Sequence, residues 1–381
     1  MRDQAVDATR SLALWGIIIA NLPFMAMPGG YGLSWWLMDA TTADLVATFF
    51  IRTFVEGKFI GLFSLLFGYG IAQQLARYEA GYVYRRLLVL ALFGIAHAIL
   101  LFPGDILLPY ALCGLVFVAF RNRIGTSLTP VIVGLSLSTI GMVVLSIIAL
   151  MLKLPAPDTI ALILIVTEGS TVTFLTLNMQ AWIGSLIELP FQLIFQIFAC
   201  VALGRWIFHK YGGIRAFVDA LAPNTTLLWS VGLVGNIIYG SFVIYGQVHD
   251  ETGISYLAAT LRPTFGFVLM LAFLVAIYRM FTSSATSKLT VWLGQTGRAS
   301  LSLYIGQAIA AVVIFRTFGW YGELSIGQVF IASIAIGLLL QILARAWLML
   351  FEFGPLEYIA QFLNAKKARC SVPAPSGTGL R

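Results

Sequence analysis

The feature that most constrains this chain is a succession of long apolar runs separated by short polar connections. Hydrophobic residues make up 60% of the 381 positions and charged residues only 10%, whereas about a quarter of a soluble domain is charged. A run of about 20 apolar residues spans the hydrocarbon core of a bilayer as a helix, which pairs its own backbone polar groups there. The sequence therefore predicts an all-α, polytopic membrane bundle.

About ten runs have the length or the composition of a membrane-spanning helix. An apolar block over residues 43–77 would extend about 52 Å as a single helix, which is too long for one crossing. We divide this block at Glu56-Gly57-Lys58 into an interfacial helix, residues 45–55, and a span. A shorter run, residues 160–166, is predicted to be interfacial or re-entrant. The predicted spans are residues 11–28, 59–76, 87–102, 106–120, 131–152, 183–208, 227–245, 261–281, 301–318 and 326–350.

The distribution of charge predicts the orientation of the bundle. Lys and Arg collect on alternate connections, and the positive-inside rule then places both termini in the cytoplasm. The same rule accounts for the net charge of +7, so no nucleic-acid partner is expected. We predict one transmembrane domain, residues 1–365, in the inner (plasma) membrane, and a disordered basic cytoplasmic tail, residues 366–381. The lipid bilayer is the partner that this composition requires, and the oligomeric state stays open.

Several classes of site are not indicated by the sequence. The three cysteines, Cys113, Cys200 and Cys370, have no paired spacing, so neither a disulfide framework nor a zinc site is predicted. The chain has no Walker loop, no GxSxG elbow with a partner histidine and no HExxH motif. We therefore expect no metal and no resident cofactor.

A histidine, His97, lies within an apolar run, where an imidazole has no water to bond. Arg86 precedes it by eleven positions. These are about three helical turns, so both residues share one helix face about 16 Å apart along the axis. Guanidinium groups bind phosphates well, and imidazole transfers protons near neutral pH. His97 is a candidate general base and Arg86 a candidate phosphate-binding residue. The structural alternatives are an interhelical hydrogen bond for His97 and a topology charge for Arg86.

The first span repeats this spacing, because Arg10 precedes Asn21 by eleven positions. Asp7, three residues before Arg10, is predicted to pair with it on one helix face. If the two helices pack together, they form a polar path from the cytoplasm to the middle of the membrane. Arg10 then helps to hold a donor, and Asn21 donates to a developing oxyanion. The structural alternatives are an ion pair for Arg10 and an interhelical hydrogen bond for Asn21.

Three further residues are candidates for substrate binding near the outer ends of the spans. Glu56 and Lys58 orient an acceptor or form a buried pair. Alternatively, they mark a break between two helices, with Lys58 extending toward the surface. Asp105 follows the turn residues Pro103 and Gly104, so it either caps the helix that begins at Ile106 or contributes to an outer site.

Five motifs follow one another along nearly the whole chain. They are DATRSLALWGIIIAN (residues 7–21), EGKFIGLFSLLFGYG (56–70), RRLLVLALFGIAH (85–97) with GDILLPYAL (104–112), GRASLSLYIGQ (297–307) and GPLEY (354–358). In these motifs the chain resembles the YeiB-like family, which carries a domain of unknown function, DUF418. The R-x10-H spacing of Arg86 and His97 also resembles the acyltransferase-3 family. That family opens on D-x2-R-x10-H, whereas this chain has Asn21 at the histidine position.

The resemblance implies an activity. The YeiB-like family is related to acyltransferase-3 proteins and to heparan-alpha-glucosaminide N-acetyltransferase, which implies transfer of an acyl group, in the first place acetyl, across the membrane. We expect acetyl-CoA or another acyl-CoA as the cytoplasmic donor substrate, and a small-molecule, glycan or lipid-linked acceptor on the outer side. The alternatives are a transporter or exporter of a small molecule with His97 in its pathway, and a membrane component without turnover. Paired intramembrane acids or an internal repeat would favour transport, and neither is evident.

Overall fold

A computed structural model describes residues 3–28, 40–122, 127–152, 158–186, 188–249 and 251–364. These residues form helices joined by turns, with no strand among them, which confirms the predicted all-α membrane bundle. The tail predicted to be disordered, residues 366–381, lies outside the described residues.

The first half of the chain builds the helices around the candidate histidine. They are α1 (Gln4–Ala26), α2 (Thr42–Phe50), α3 (Lys58–Leu75), α4 (Ala80–Leu100), α5 (Leu107–Ala119), α6 (Thr129–Leu152), α7 (Thr159–Thr167), α8 (Thr171–Ser185) and α9 (Phe195–Tyr211). Two π-helical turns join this set, Ile51–Val55 after α2 and Pro190–Ile194 before α9.

The second half completes the bundle. Its helices are α10 (Ile214–Leu221), α11 (Thr225–Val248), α12 (Thr252–Ala259), α13 (Arg262–Thr282), α14 (Ser287–Thr296), α15 (Ser300–Ala311), α16 (Ile326–Leu350) and α17 (Pro355–Leu363). A third π-helical segment, Val312–Thr317, continues α15.

Eight helical stretches of the described residues are long and apolar enough to cross a bilayer. The two remaining predicted spans correspond to α5 and α9, which have 13 and 17 residues. A helix of 13 residues extends about 20 Å, less than a hydrocarbon core of about 30 Å. If Arg121, just beyond α5, marks the inner boundary, the turn before α5 therefore lies within the thickness of the bilayer.

The predicted break at Glu56-Gly57-Lys58 is confirmed. The helix that begins at Thr42 ends in the π-helical turn Ile51–Val55, and α3 begins at Lys58. Gly57 joins them with φ of +78°, a left-handed conformation that costs a residue with a Cβ about 1–2 kcal/mol. The chain therefore changes direction at this glycine, as the length argument required.

The segment over residues 158–186 contains more helix than the one short run predicted there. The short apolar run, residues 160–166, does lie on a helix, α7, but α8 follows it over Thr171–Ser185. Ser170 caps α8, since its hydroxyl oxygen accepts from the Thr173 amide at 3.1 Å. The predicted span 183–208 therefore starts too early, because the next helix begins with the π-helical turn Pro190–Ile194.

The centre of the bundle is the contact between α3 and α9. Leu62, Leu65 and Leu66 on α3, and Ile197 and Cys200 on α9, are fully buried there. By contrast, α6 and α16 are peripheral, and each presents a row of large apolar side chains outward. Exposed apolar surface on this scale needs a cover, and lipid provides it for a membrane bundle.

The two ends of the described chain lie at the same end of the bundle. Near the end of α13, Tyr278 donates a hydrogen bond to the Asp3 carboxylate at 2.9 Å. At the start of α15, the Ser302 hydroxyl donates to Glu357 on α17 at 2.5 Å. This arrangement agrees with the expectation that both termini face one side. That this side is the cytoplasm stays a prediction from the charges.

Candidate functional site

The candidate histidine forms a buried pair with an aspartate. His97 Nδ1 lies 3.0 Å from Asp105 Oδ1, and each side chain is 1% exposed. The distance is that of an ion pair, although the ring N–H is not aligned for a linear hydrogen bond. A carboxylate beside Nδ1 orients an imidazole and stabilises it once Nε2 has taken a proton.

A helical hairpin creates this pair. His97 lies in the last turn of α4, and Asp105 lies in the turn that leads into α5. The second carboxylate oxygen of Asp105 accepts from the Leu108 amide at 2.7 Å, which satisfies one of the free amides at the start of α5. Asp105 therefore caps the start of α5, one of the two roles considered from the sequence, and its other carboxylate oxygen lies beside His97.

The hairpin closes tightly because residue 94 has no side chain. A Cβ atom on Gly94 would lie 2.4 Å from the Leu108 amide nitrogen and 2.8 Å from Asp105 Oδ2. Both distances are too short for any side chain. Gly94 is thus the residue of α4 that lets the start of α5 approach, and with it Asp105.

Tyr304 on α15 completes the surroundings of the ring. Its ring centroid lies 4.9 Å from that of His97, at an interplanar angle of 38°. The phenolic oxygen accepts from the Ile106 amide at 3.3 Å, so Tyr304 also holds the turn between α4 and α5. His97 Nε2 has no hydrogen-bond partner among the described residues. This buried nitrogen is the position of the ring at which a proton could be taken up.

Arg86 lies on α4 at the end opposite to His97. Its side chain is exposed, and the eleven-residue separation places it about 16 Å away along the helix axis. The two residues are therefore not in contact. Arg86 stands near the surface, whereas His97 is enclosed by protein.

Arg10 and Asn21 are not brought to His97. The predicted pair of Arg10 with Asp7 is confirmed, with Nη1 of Arg10 at 2.7 Å from Asp7 Oδ1. Nη2 of Arg10 donates to the Leu66 carbonyl of α3 at 3.2 Å. Asn21, near the end of α1, is half-buried. Arg10 is thus committed to the contact between α1 and α3.

The predicted polar path along α1 and α4 is therefore not formed. In the described part of the chain, α1 packs on α3, α14, α15 and α16, whereas α4 packs mainly on α5 and α8. The helix between them is α15, whose Gln307 donates to the Leu14 carbonyl of α1 at 3.0 Å. Its Tyr304 reaches the His97 ring on the other side. The eleven-residue spacing identifies one polar face on α1 and one on α4, but these two faces do not contact each other.

Glu56 is the centre of a second polar cluster. Its carboxylate accepts from Arg262 at 2.8 Å, from Arg52 at 2.9 Å and from the Tyr239 hydroxyl at 2.7 Å. These contacts join the turn after α2 to α11 and α13. A carboxylate that accepts charge-assisted bonds from two guanidinium groups is firmly held.

Lys58 belongs to the same cluster but does not extend to the surface as the structural alternative assumed. It is 0% exposed, and Nζ donates to the Arg52 carbonyl at 2.8 Å. It also lies 5.7 Å from the centre of the Tyr239 ring, within the range of a cation–π contact. The direct pair of Glu56 with Lys58 is not formed, because Glu56 is occupied by the two arginines.

The motif segments also meet away from these two clusters. Glu357 of the closing GPLEY motif accepts from the Leu301 amide at 2.7 Å and from the Ser302 hydroxyl at 2.5 Å. Burial raises the pKa of Glu357, although these hydrogen bonds act in the opposite direction. This carboxyl group therefore fixes α17 to the start of α15, just before Tyr304 on that helix.

Sequence reasoning missed three partners of the candidate residues. Tyr304, Tyr239 and Arg262 are remote in sequence from the histidine and the glutamate that they contact. Two local signals were present. Asp105 follows a Pro-Gly turn and lies eight positions after His97, and Arg52 lies four positions before Glu56, with which it pairs. A short hairpin brings such positions together, whereas nothing local indicates the two tyrosines. Among the described residues no group of three or more His, Cys, Asp or Glu side chains is arranged to hold a metal ion.

Comparisons with known proteins give family-level matches. Residues 216–366 match the family described as "Protein of unknown function (DUF418)". The chain is 25% identical to the uncharacterized protein YxaH of Bacillus subtilis (strain 168), over 93% of this chain and 92% of that protein. It is 34% identical over 116 residues to the uncharacterized protein YeiB of Escherichia coli (strain K12), over 30% of each chain.

A third relative is an uncharacterized 39.9 kDa protein in the amylase 3' region of Bacillus acidopullulyticus. It is 37% identical over 121 residues, which are 30% of this chain and 33% of that protein. No solved structure matches. The names of these three relatives state no activity.

Proposed function

The chain belongs to the YeiB-like DUF418 family, and we propose that it is a membrane acyltransferase with His97 as its general base. The observation that supports this proposal is the buried pair of His97 and Asp105, which leaves Nε2 of the ring without a partner among the described residues. An oriented imidazole with one open nitrogen suits proton transfer. The R-x10-H spacing, which resembles that of acyltransferase-3 proteins, favours acyl transfer among the reactions that need such a base.

The proposed reaction uses an acyl-CoA thioester, in the first place acetyl-CoA, and a hydroxyl or amine acceptor. His97 Nε2 takes the acceptor proton while the acceptor oxygen or nitrogen attacks the thioester carbonyl carbon. The new bond forms, the carbon–sulfur bond breaks, and the thiolate receives the proton from the imidazolium. Asp105 stabilises the imidazolium between these two proton transfers. The products are the acylated acceptor and the free thiol.

The donor approaches from the cytoplasmic end of α4. Arg86 is exposed there, and a guanidinium is suited to the phosphates of the donor. The acyl end then extends along α4 toward His97, over the three helical turns that separate the two residues. Arg10 is bonded to Asp7 and to the Leu66 carbonyl, so its part in holding the donor is secondary.

Access to His97 requires a conformational change, because the ring is enclosed. The helix that packs on this end of α4 is α8, where Asn178 donates to the Ile99 carbonyl at 3.3 Å. Movement of α8 away from α4 would open the site toward the outer side. We therefore assign the admission of the acceptor to α8, and outward movement of such a helix is expected on the microsecond to millisecond scale.

The experiment measures thiol release from acetyl-CoA by the full-length protein in vesicles, together with transfer of the labelled acetyl group to an added glycan or lipid acceptor. We expect His97→Gln to lower both rates by about 10²- to 10⁴-fold, the usual contribution of a general base. His209→Gln is the matched control, since His209 is exposed at the end of α9. A folded His97→Gln protein that retains the unsubstituted rate would refute the mechanism.

Transport of a small anion is a second candidate function. The observation that favours it is the cluster around Glu56, because ionisable groups inside a membrane bundle often line a pathway. Uptake of a labelled anion by vesicles without any thioester would favour transport. This pathway runs past Glu56 and, unlike the transport alternative drawn from the sequence, does not include His97. Arg52→Gln should therefore abolish the uptake, whereas His97→Gln should leave it unchanged.

A further inference from the structure

Helix α17 presents an apolar face to the outside of the bundle. Its nine residues pack on α15 and α4, with Leu356 against the core and Glu357 bonded to the start of α15. On the opposite face, Ile359 and Phe362 are exposed, and the exposed fraction of Phe362 is 80%. A spacing of three residues places these two side chains on one stripe of the helix. The helix is therefore amphipathic in both directions, and its outer stripe needs an apolar cover.

The outer stripe of α17 continues the outward apolar row of α16. The end of α16 and the residue after it are also exposed, at Met349, Leu350 and Phe351. A connection of four residues, 351–354, then leads into α17. Because α16 is long and apolar enough to cross the bilayer, this connection lies at the membrane surface. The apolar surface that lipid covers on α16 therefore extends onto α17.

An aromatic cluster indicates the depth of this connection in the membrane. Trp347 stacks on Phe351 with ring centroids 4.2 Å apart, and its indole N–H donates to the Phe353 carbonyl at 2.9 Å. Tyr358 packs edge-on against the Phe353 ring at 5.5 Å, and its hydroxyl oxygen accepts from the Glu352 amide at 3.2 Å. Trp and Tyr collect at the membrane–water interface, because their rings are apolar and carry one polar group. The start of α17 is therefore at the level of the lipid headgroups.

The charges around α17 suit an anionic surface. The single acidic residue of this helix, Glu357, is directed inward to the Ser302 hydroxyl, so the outer face of α17 carries no negative charge. Arg298 lies beside the connection, where its guanidinium donates to the Glu352 carbonyl at 2.7 Å. Three basic residues follow α17 in the sequence, Lys366, Lys367 and Arg369. Basic residues next to a membrane surface attract anionic headgroups.

We propose that the outer face of α17 lies in the headgroup region of the leaflet on the side of the two termini, and that it binds anionic phospholipid there. Ile359 and Phe362 insert between the upper parts of the acyl chains, about 5–10 Å deep, as is usual for an amphipathic helix in the plane of the interface. The positive charge that follows in the sequence attracts the headgroups. Each basic residue near an anionic surface strengthens binding by about fivefold, and three together by about a hundredfold.

The first test locates the outer face of α17 with a nitroxide spin label on the full chain in vesicles. Phe362→Cys carries the label in a protein that also has Cys370→Ser, since Cys113 and Cys200 are buried. Oxygen relaxes a nitroxide that lies in lipid, whereas a water-soluble nickel chelate relaxes one that lies in water. Gln361→Cys is the matched control, because residue 361 is exposed on the flank of the same helix.

We expect the label at position 362 to respond more strongly to oxygen than to the chelate, and more strongly to oxygen than the label at position 361. A stronger response to the chelate would place this face in water. A response to neither reagent would mean that another protein surface, such as a second copy of the chain, covers it. Either of these two results would overturn the proposal.

The second test compares the unsubstituted protein in vesicles of phosphatidylcholine with and without phosphatidylglycerol, at one pH. We expect phosphatidylglycerol to raise the protection of the α17 amides from hydrogen exchange by about fivefold to a hundredfold. The combined variant Lys366→Gln, Lys367→Gln and Arg369→Gln should lose this dependence on the lipid.

Phe362→Gln should lower the protection of α17 in both kinds of vesicle. Phe318→Gln is its control and should leave α17 unchanged, because Phe318 is also exposed but follows the other end of the span that contains α15. Equal protection of the unsubstituted protein with and without phosphatidylglycerol would overturn the assignment to anionic lipid. Neither test measures acyl transfer, so failure of the His97 mechanism leaves both unaffected.

Discussion

Substitution of Glu56 by Gln tests whether the second cluster is as desolvated as its burial indicates. The carboxylate receives two charge-assisted hydrogen bonds, from Arg262 at 2.8 Å and from Arg52 at 2.9 Å. The exposed fractions of these side chains are 14% for Glu56, 15% for Arg262 and 11% for Arg52. Solvent screening is therefore weak, and loss of the negative charge removes the carboxylate that both guanidinium groups share.

The expected loss of stability is about 3–5 kcal/mol, the range for removal of one partner of a buried ion pair. The glutamine amide keeps one acceptor oxygen. Its NH2 group, however, is a donor that faces a guanidinium, which also has only donors. Tyr239 retains a partner on that oxygen. Most of the loss therefore comes from the two arginines.

The measurement is equilibrium unfolding in mixed micelles with an increasing fraction of a denaturing detergent. Glu79→Gln is the matched control, because Glu79 is exposed and makes no side-chain cap at the start of α4. It should change stability by less than about 0.5 kcal/mol. In a double-mutant cycle, Glu56→Gln with Arg262→Gln should lose at least about 1 kcal/mol less than the two single losses combined. If Glu56→Gln behaves like Glu79→Gln, the charges are solvated and the reasoning on this cluster fails.

Three further expectations follow from other contacts. Gly94→Ala places a Cβ 2.4 Å from the Leu108 amide, so it should destabilise the protein by about 1–3 kcal/mol in the same unfolding assay; an unchanged midpoint would mean that the hairpin is looser than this distance implies. Burial raises the pKa of Glu357, so the folded protein binds this proton more tightly and attachment of α17 weakens as pH rises through the raised pKa. The protection of the α17 amides, expressed relative to their intrinsic exchange rates at each pH, should therefore fall as pH rises above the ordinary glutamate pKa and through the raised one, and Glu357→Gln should remove that dependence. Arg316 donates to the Val166 and Gly169 carbonyls at 2.7 and 2.9 Å, so Arg316→Met should speed hydrogen exchange at the end of α7, with no effect on α17.

Local features of the sequence were sufficient for much of the architecture. The length and polarity of each apolar run identified most of the helices, and the excessive length of one block located the break at Gly57. The ion pair of Asp7 with Arg10 followed from a spacing of three residues on one helix. Each of these properties depends on a short stretch of chain, because helix length, turns and pairs within a helix involve near neighbours in sequence.

Errors arose where the answer depended on distant segments. α8 was missed because its Thr-rich sequence is polar enough to resemble a loop. Its packing on α4 stabilises it as a helix. The path from Arg10 and Asn21 to His97 was wrong in its premise, since α15 separates α1 from α4. A helical spacing shows which residues share a face, but it contains no information about the helix that this face contacts.

The difference between the correct local predictions and the wrong long-range ones has one physical cause. Transfer of a helix into lipid is decided nearly residue by residue, so composition alone established that this chain is a membrane bundle. Inside lipid, however, helices have no hydrophobic reason to prefer one neighbour over another, and they associate by close packing and by polar contacts between remote positions. The pairing of His97 with Asp105 beneath Tyr304, and the gathering of Arg52 and Arg262 around Glu56, are therefore properties of the assembled bundle.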